Sequence, residues 1–224
     1  MPGLGRIPHW DPKNENYRLH VPVVRRMGFT IARTLGLSKP RSWRQWKYWD
    51  QGDSPECTAY GSATFLAADP THDAVAWLRH LDVHQWYLDN VAEDRSHGRV
   101  FSDGATTLAA MEVGKRRGYW DRYDWALSFD DVLAHLHNEA PIVFASNWYS
   151  SLFDRDAERI CRITPGASVV GGHLYTLGAE DPKRGLATIR QTWGDGDYKV
   201  SLEDLERLFR EDGEAVYPHK VKPA

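Results

Sequence analysis

The sequence predicts an α+β chain in which helices come first and strands follow. Three observations carry that reading. Apolar residues recur at helical spacing through 54–67, 74–90 and 102–115. Runs of strand formers occupy 142–145, 168–178 and 186–191. A hydrophobic content of 42% over 224 residues is enough for one substantial core or for two lobes sharing a cleft.

Composition narrows the function classes. A formal net charge of -3 predicts no general affinity for nucleic acid. Two cysteines, Cys57 and Cys161, cannot build the multi-bridge framework of a small secreted protein, so a reducing compartment is expected. No stretch approaches the ~20 apolar residues of a membrane span, and the N-terminus lacks the apolar region of a signal peptide. A soluble, cytoplasmic protein follows. There is no internal repeat and no phosphate-binding glycine loop, so no cofactor is expected.

Residues 1–16 carry Pro2, Pro8 and Pro12 among several Gly and Asn, and read as an extended surface arm. From Tyr17 to Trp49 there are eight Lys or Arg residues and no Asp or Glu, which makes residues 1–49 a basic N-terminal arm. One reading lays this arm across the more acidic remainder. The other makes it a docking arm for nucleic acid or an acidic partner, with Trp43, Trp46 and Trp49 as anchors.

Ser54-Pro55 supplies an N-cap and a favoured first helical residue, and the small and apolar residues Ala59, Tyr60, Ala63, Phe65, Leu66 and Ala67 suit a packed helix. Cys57 then falls in the first turn. There the unpaired backbone N–H groups and the positive helix end favour thiolate over thiol. Glu56 opposes this unless a cation such as a histidine offsets it.

Downstream, His80 and His84 are four apart on the next expected helix, but His80-Leu81-Asp82-Val83-His84 lacks the Glu of the zinc-protease motif and no metal is expected. His135 and His137, two apart, point to nearly opposite helix faces. Ser102-Asp103-Gly104-Ala105 opens a helical run through Lys115, and Ser128 caps a helix that ends before Pro141. The strand runs follow, and antiparallel pairing of 168–178 with 186–191 would bring Gln191 toward His173. Ser201 to Asp204 has the pattern of a capping box ahead of an amphipathic helix, and the tail from Pro218 reads as frayed.

Gln51, Gly52 and Cys57, then Gly171-Gly172-His173, then Gln191-Thr192-Trp193-Gly194 resemble the three motifs of papain-like cysteine peptidases in order and spacing. The resemblance implies a two-lobe fold, with a helical lobe at about 50–127 carrying the Cys57 helix and an antiparallel β lobe at about 128–217 carrying His173. It implies peptide-bond hydrolysis in which Cys57 is the nucleophile, His173 the general acid and base, Gln191 the group that orients His173, and Gln51 an oxyanion donor. By the same resemblance Gly104 and Trp193 line the substrate cleft. Three positions depart from the family pattern: Thr58 replaces the usual Trp, Gly172 the frequent Asp or Asn, and Gln191 the usual Asn. The extra methylene of Gln191 is the departure expected to disturb the ring, by about an ångström. Compact forms of this kind resemble those of bacteria and bacteriophages, which adds a virion-associated location to the expectations. The alternatives are an inactive structural or assembly protein on the same fold and a thiol amidase acting on peptidoglycan peptides.

Overall fold

The computed structural model describes residues 2–72 and 78–220. In chain order its elements are β1 (Arg6–Ile7), a 3-10 turn (Pro12–Tyr17), α1 (Val23–Thr34), β2 (Arg41–Ser42), α2 (Cys57–Leu66), α3 (His80–Ser96), β3 (Ala105–Thr106), α4 (Thr107–Arg116), β4 (Trp120–Trp125), α5 (Phe129–Asn138), β5 (Ile142–Tyr149), β6 (Ile160–Cys161), β7 (Val169–Asp181), β8 (Leu186–Arg190), β9 (Tyr198–Ser201), α6 (Leu202–Asp212) and β10 (Glu214–Lys220).

One sheet runs in the order β4-β10-β5-β7-β8-β9-β6, with β2 added against β7, and every pairing but β6 with β9 is antiparallel. Two cores result. The first gathers α2, α3 and α4 around Trp49, Trp86 and Trp120; the second gathers α5, α6 and the strands around Phe144, Trp148 and Tyr175. The sequence reason is the order of the patterns. The three-turn apolar stripe of α6 buries Leu202, Leu205 and Leu208, and Ser201 caps it by accepting from the Asp204 N–H at 3.0 Å.

α2 sits where the cores meet. All ten of its residues are buried, because small and apolar side chains cover its whole circumference. It docks on β7 at Gly61. A Cβ there would approach the Leu174 carbonyl oxygen to 2.6 Å, and the Thr176 hydroxyl donates to the Gly61 carbonyl at 3.0 Å. This close contact fixes the start of α2 against the strand that bears His173.

Several local expectations change. The helix expected over 74–90 begins at His80, and Val75 and Trp77 lie outside the described residues. The helix expected from residue 102 starts at Thr107 and is capped by Thr106, since Gly104 at φ +89° and β3 come first. Pro218 and His219 belong to β10, while residues 221–224 of the expected frayed tail lie outside the described residues. The basic arm folds against the body: Arg18 and Arg26 pair with Asp131, and Arg25 with Glu139. Its tryptophans are not free stacking platforms, because Arg41, Arg44 and Lys47 cover the rings of Trp43, Trp46 and Trp49 at 4.1, 3.4 and 3.8 Å.

Candidate active site

Cys57 is the first residue of α2 and is fully buried. The cap differs from the expected one. Ser54 turns back, giving its N–H and hydroxyl to the Gln51 carbonyl at 3.2 and 2.7 Å, and Glu56 takes the cap position without a side-chain cap bond. The Glu56 carboxylate reaches His84 Nδ1 at 3.0 Å.

His173 lies on β7, one residue before Leu174, whose carbonyl lies close against Gly61 of the Cys57 helix. Its ring stacks on Trp193 with centroids 4.4 Å apart and meets the edge of Trp148 at 5.1 Å. Nε2–H donates to Gln191 Oε1 at 2.9 Å, which leaves Nδ1 as the buried nitrogen without a hydrogen-bond partner. Gln191 therefore reaches the ring despite its extra methylene. Antiparallel pairing of β7 and β8 makes this possible by setting Thr176 opposite Arg190, so the next residue enters the site.

Gln51 is held from both ends. Its backbone N–H bonds to the Thr192 carbonyl at 2.7 Å, and its Oε1 accepts from the Thr192 hydroxyl. Nε2 is thereby aimed outward, donating to Ser54 O at 2.7 Å and to Gly3 O at 3.1 Å. Trp193 Nε1 also approaches Gly3 O, at 3.3 Å.

That Gly3 contact overturns the surface arm expected for residues 1–16. Residues 3–7 run extended between the two cores, over Cys57. The Gly3 N–H bonds to Gly52 O, the Gly5 N–H to Gly172 O and the Ala105 N–H to Gly5 O, and β1 pairs parallel with β3. The passage is narrow enough to require glycine on both sides. A Cβ on Gly3 or Gly5 would collide with the carbonyls of Ser54 or Pro55, one on Gly104 with Gly5, and one on Gly172 with Arg6. Gly172 stands where a larger residue was expected, and Arg6 occupies the room it leaves.

His173, Gln191, Gln51, Gly104 and Trp193 thus gather around an extended peptide, and Cys57 starts the helix that docks on the His173 strand. The fold as a whole is similar to those of solved cysteine proteases. Xylellain, a cysteine protease from Xylella fastidiosa, is 17% identical and superposes with a TM-score of 0.66 over 99% of this chain and 97% of its own. The fold is papain-like. A procathepsin B from Trypanosoma congolense is 11% identical with a TM-score of 0.62, over 97% of this chain and 87% of its own. Procathepsin L 3 of Tenebrio molitor is 13% identical with a TM-score of 0.53, over 97% and 75%. No protein-family model and no curated protein matches the sequence.

Under the covering segment Cys57 and His173 rest uncharged. Burial pushes the Cys57 thiol up to about 11, against the opposing pull of backbone hydrogen bonds from Leu174 and Gly5 and of the Arg6 charge. Burial pulls His173 down to about 4, although the Gln191 bond favours the charged ring. The thiolate expected at the helix start is absent while the segment covers it, because desolvation outweighs the helix end. Cys161, also buried, is pushed to about 12 and donates to Lys199 O at 3.2 Å.

The sign of the His173 shift sets a pH dependence. A folded-state value of about 4 against an ordinary ~6.5 means the stabilisation is fully present above ~6.5 and is lost as pH falls through 4, on the order of 3 kcal/mol in all. Urea midpoints are expected to drop from pH 7 to pH 4, and His173→Gln to flatten that slope. His135, buried and pulled to about 3, accounts for a remainder of the same sign. An unchanged slope in the variant would contradict the assignment.

Sequence reading missed Gly3, Gly5, Arg6, Thr192 and Glu214. The Gly3-Leu4-Gly5 spacing is the one available signal, since glycines two apart in an extended segment leave one face open to close backbone approach.

Proposed function

We propose that the chain is a cysteine peptidase whose cleft is closed by its own N-terminal segment. One observation carries this reading: a peptide already lies in the cleft, and its Gly3 carbonyl accepts from Gln51 Nε2 and faces Trp193 Nε1, as a substrate carbonyl would.

When residues 3–7 leave, water reaches the site and the desolvation that keeps Cys57 protonated falls away. The Cys57 proton passes to His173 Nδ1, and Gln191 holds the imidazolium by accepting from Nε2–H. The thiolate sulfur bonds to the substrate carbonyl carbon. The C=O electron pair moves onto oxygen, where Gln51 Nε2–H and the Cys57 backbone N–H meet the charge. Collapse breaks the C–N bond, and His173 gives its proton to the departing amine. His173 then takes a proton from water, whose oxygen attacks the thioester and releases the acid and the thiol. Trp193, stacked on the ring, keeps water from the His173–Gln191 bond. Gly104 leaves the substrate backbone room to approach.

The full-length Gly5→Ala variant, incubated with a mixed peptide library, is expected to release new peptide termini, and adding Cys57→Ala to abolish them. Cleavage that survives Cys57→Ala, or none from an opened and folded chain, would reject the reading.

A further inference from the structure

We infer that the outer face of α1 is a self-association surface, on which a second copy of this chain docks through an antiparallel α1 to α1 contact that crosses at Gly28. The inference stands apart from the chemistry of the cleft.

α1 is an amphipathic helix set down with its apolar arc outward. At 100° per residue, Val23, Val24, Met27, Gly28, Ile31 and Leu35 fall within an arc of about 140°. The five side chains among them are each more than half exposed, Val24 to 83%. Arg25, Phe29 and Arg33 take the opposite side, and Phe29 is the one buried residue of the helix, which packs on α5. A surface helix ordinarily turns its apolar stripe to the core. Here charge sets the orientation instead. Arg26 donates to Asp131 at 3.0 Å, Arg25 pairs with Glu139, and the Arg33 charge acts on the buried Glu180 carboxylate. The apolar arc is left to be covered from outside.

Three features select an identical partner. The arc carries no charge, and the arginines of α1 face carboxylates of the body, so an anionic lipid surface or an acidic protein finds no free basic rim on this helix. An uncharged patch meets its own copy across a two-fold axis without repulsion. The threonines beside the arc are satisfied within the helix, since the Thr30 hydroxyl donates to Arg26 O at 3.0 Å and that of Thr34 to Thr30 O at 2.9 Å, and a dry contact leaves neither unmet. Gly28 stands midway along α1, where glycine is the poorest helix former after proline. No packing within the chain requires it, because a Cβ there would meet no atom within 4 Å among the described residues. Close approach of a second backbone does require it. With the threonines, the face amounts to roughly 600 Å² per chain, so a pair removes about 1,200 Å² from water, the lower end of the range for specific, stable interfaces.

Sedimentation velocity of the full-length chain tests the contact. The parent is expected to sediment as two copies at ~100 μM and to dissociate on dilution through the micromolar range. Val24→Glu places a carboxylate on each side of the contact and is expected to weaken the pair at least about 10²-fold. Gly28→Leu is expected to weaken it at least about tenfold while raising the thermal midpoint of the dilute, dissociated chain, because the same substitution improves the free helix and obstructs the crossing. Both positions are exposed, so neither change disturbs the core. A parent that sediments as one chain at ~100 μM, or a pair indifferent to either substitution, would overturn the inference. Binding of that single chain to phosphatidylglycerol vesicles, lost in Val24→Glu, would overturn it too and give the face to lipid.

Discussion

Full-length Gly5→Ala is expected to alkylate at Cys57 roughly ten- to a hundredfold faster than the parent at neutral pH, with Cys161 unchanged. The cause is steric. The new methyl collides with the Pro55 carbonyl at the entrance to α2, where backbone on both sides leaves nothing flexible to yield. Overpacking of this kind costs about 1–3 kcal/mol, and the segment, held by a handful of backbone and side-chain hydrogen bonds and one ion pair, Arg6 with Glu214, is the part able to relieve it. Cys57 then gains the solvent it lacks, and its thiol falls back from about 11. Cys161 serves as the internal control, since it is buried in the second core with its thiol donating to Lys199 O and it makes no hydrogen bond to the segment. Equal rates in parent and variant would mean that the segment does not gate the thiol.

Gln51→Ala is expected to act in opposite directions in the closed and opened chains. In the parent it removes the Nε2–H bond to Gly3, worth about 1 kcal/mol, so the segment loosens and Cys57 alkylation rises several-fold. In the Gly5→Ala background the same substitution removes a donor from the developing oxyanion, and kcat is expected to fall about 10²–10³-fold with KM little altered. A purely structural Gln51 would produce the first effect without the second, because its ties to Thr192 and Ser54 serve the ground-state loop equally in both backgrounds. Steady-state kinetics on the opened pair separates the two roles.

Much of the site was legible because its residues carry local signatures. Cys57 sits behind a proline at a helix start, His173 lies in a run of strand formers, and Gln191 ends the next strand, so antiparallel pairing alone predicts their meeting. Gln191 shows where such a reading overstates a departure. Its extra methylene is absorbed by the chain leaving β8, and the bond to His173 is 2.9 Å. Ser54 was misassigned as cap because its hydroxyl has a competing acceptor three residues back, a choice that depends on where the Thr192 strand pins Gln51.

The N-terminal segment was the larger miss. Proline and glycine near a chain end read as exposed coil, and no local pattern tells an extended surface arm from an extended strand inserted between two lobes. The difference lies in partners far along the chain, Gly52, Gly104, Gly172 and Glu214, each of which has an ordinary local explanation. Arg6 is the same case, since a single arginine in a polar arm gives no sign that a carboxylate more than two hundred residues away is waiting for it.

The most direct test of the account is the pH dependence of Cys57 alkylation by iodoacetamide, located by mass spectrometry, in Gly5→Ala with and without His173→Ala. The opened chain is expected to react rapidly already near pH 6, and removal of His173 to return Cys57 to ordinary thiol behaviour. Titration of Cys57 near ~8.5 in the opened chain, indifferent to His173, would contradict a working Cys57–His173 pair.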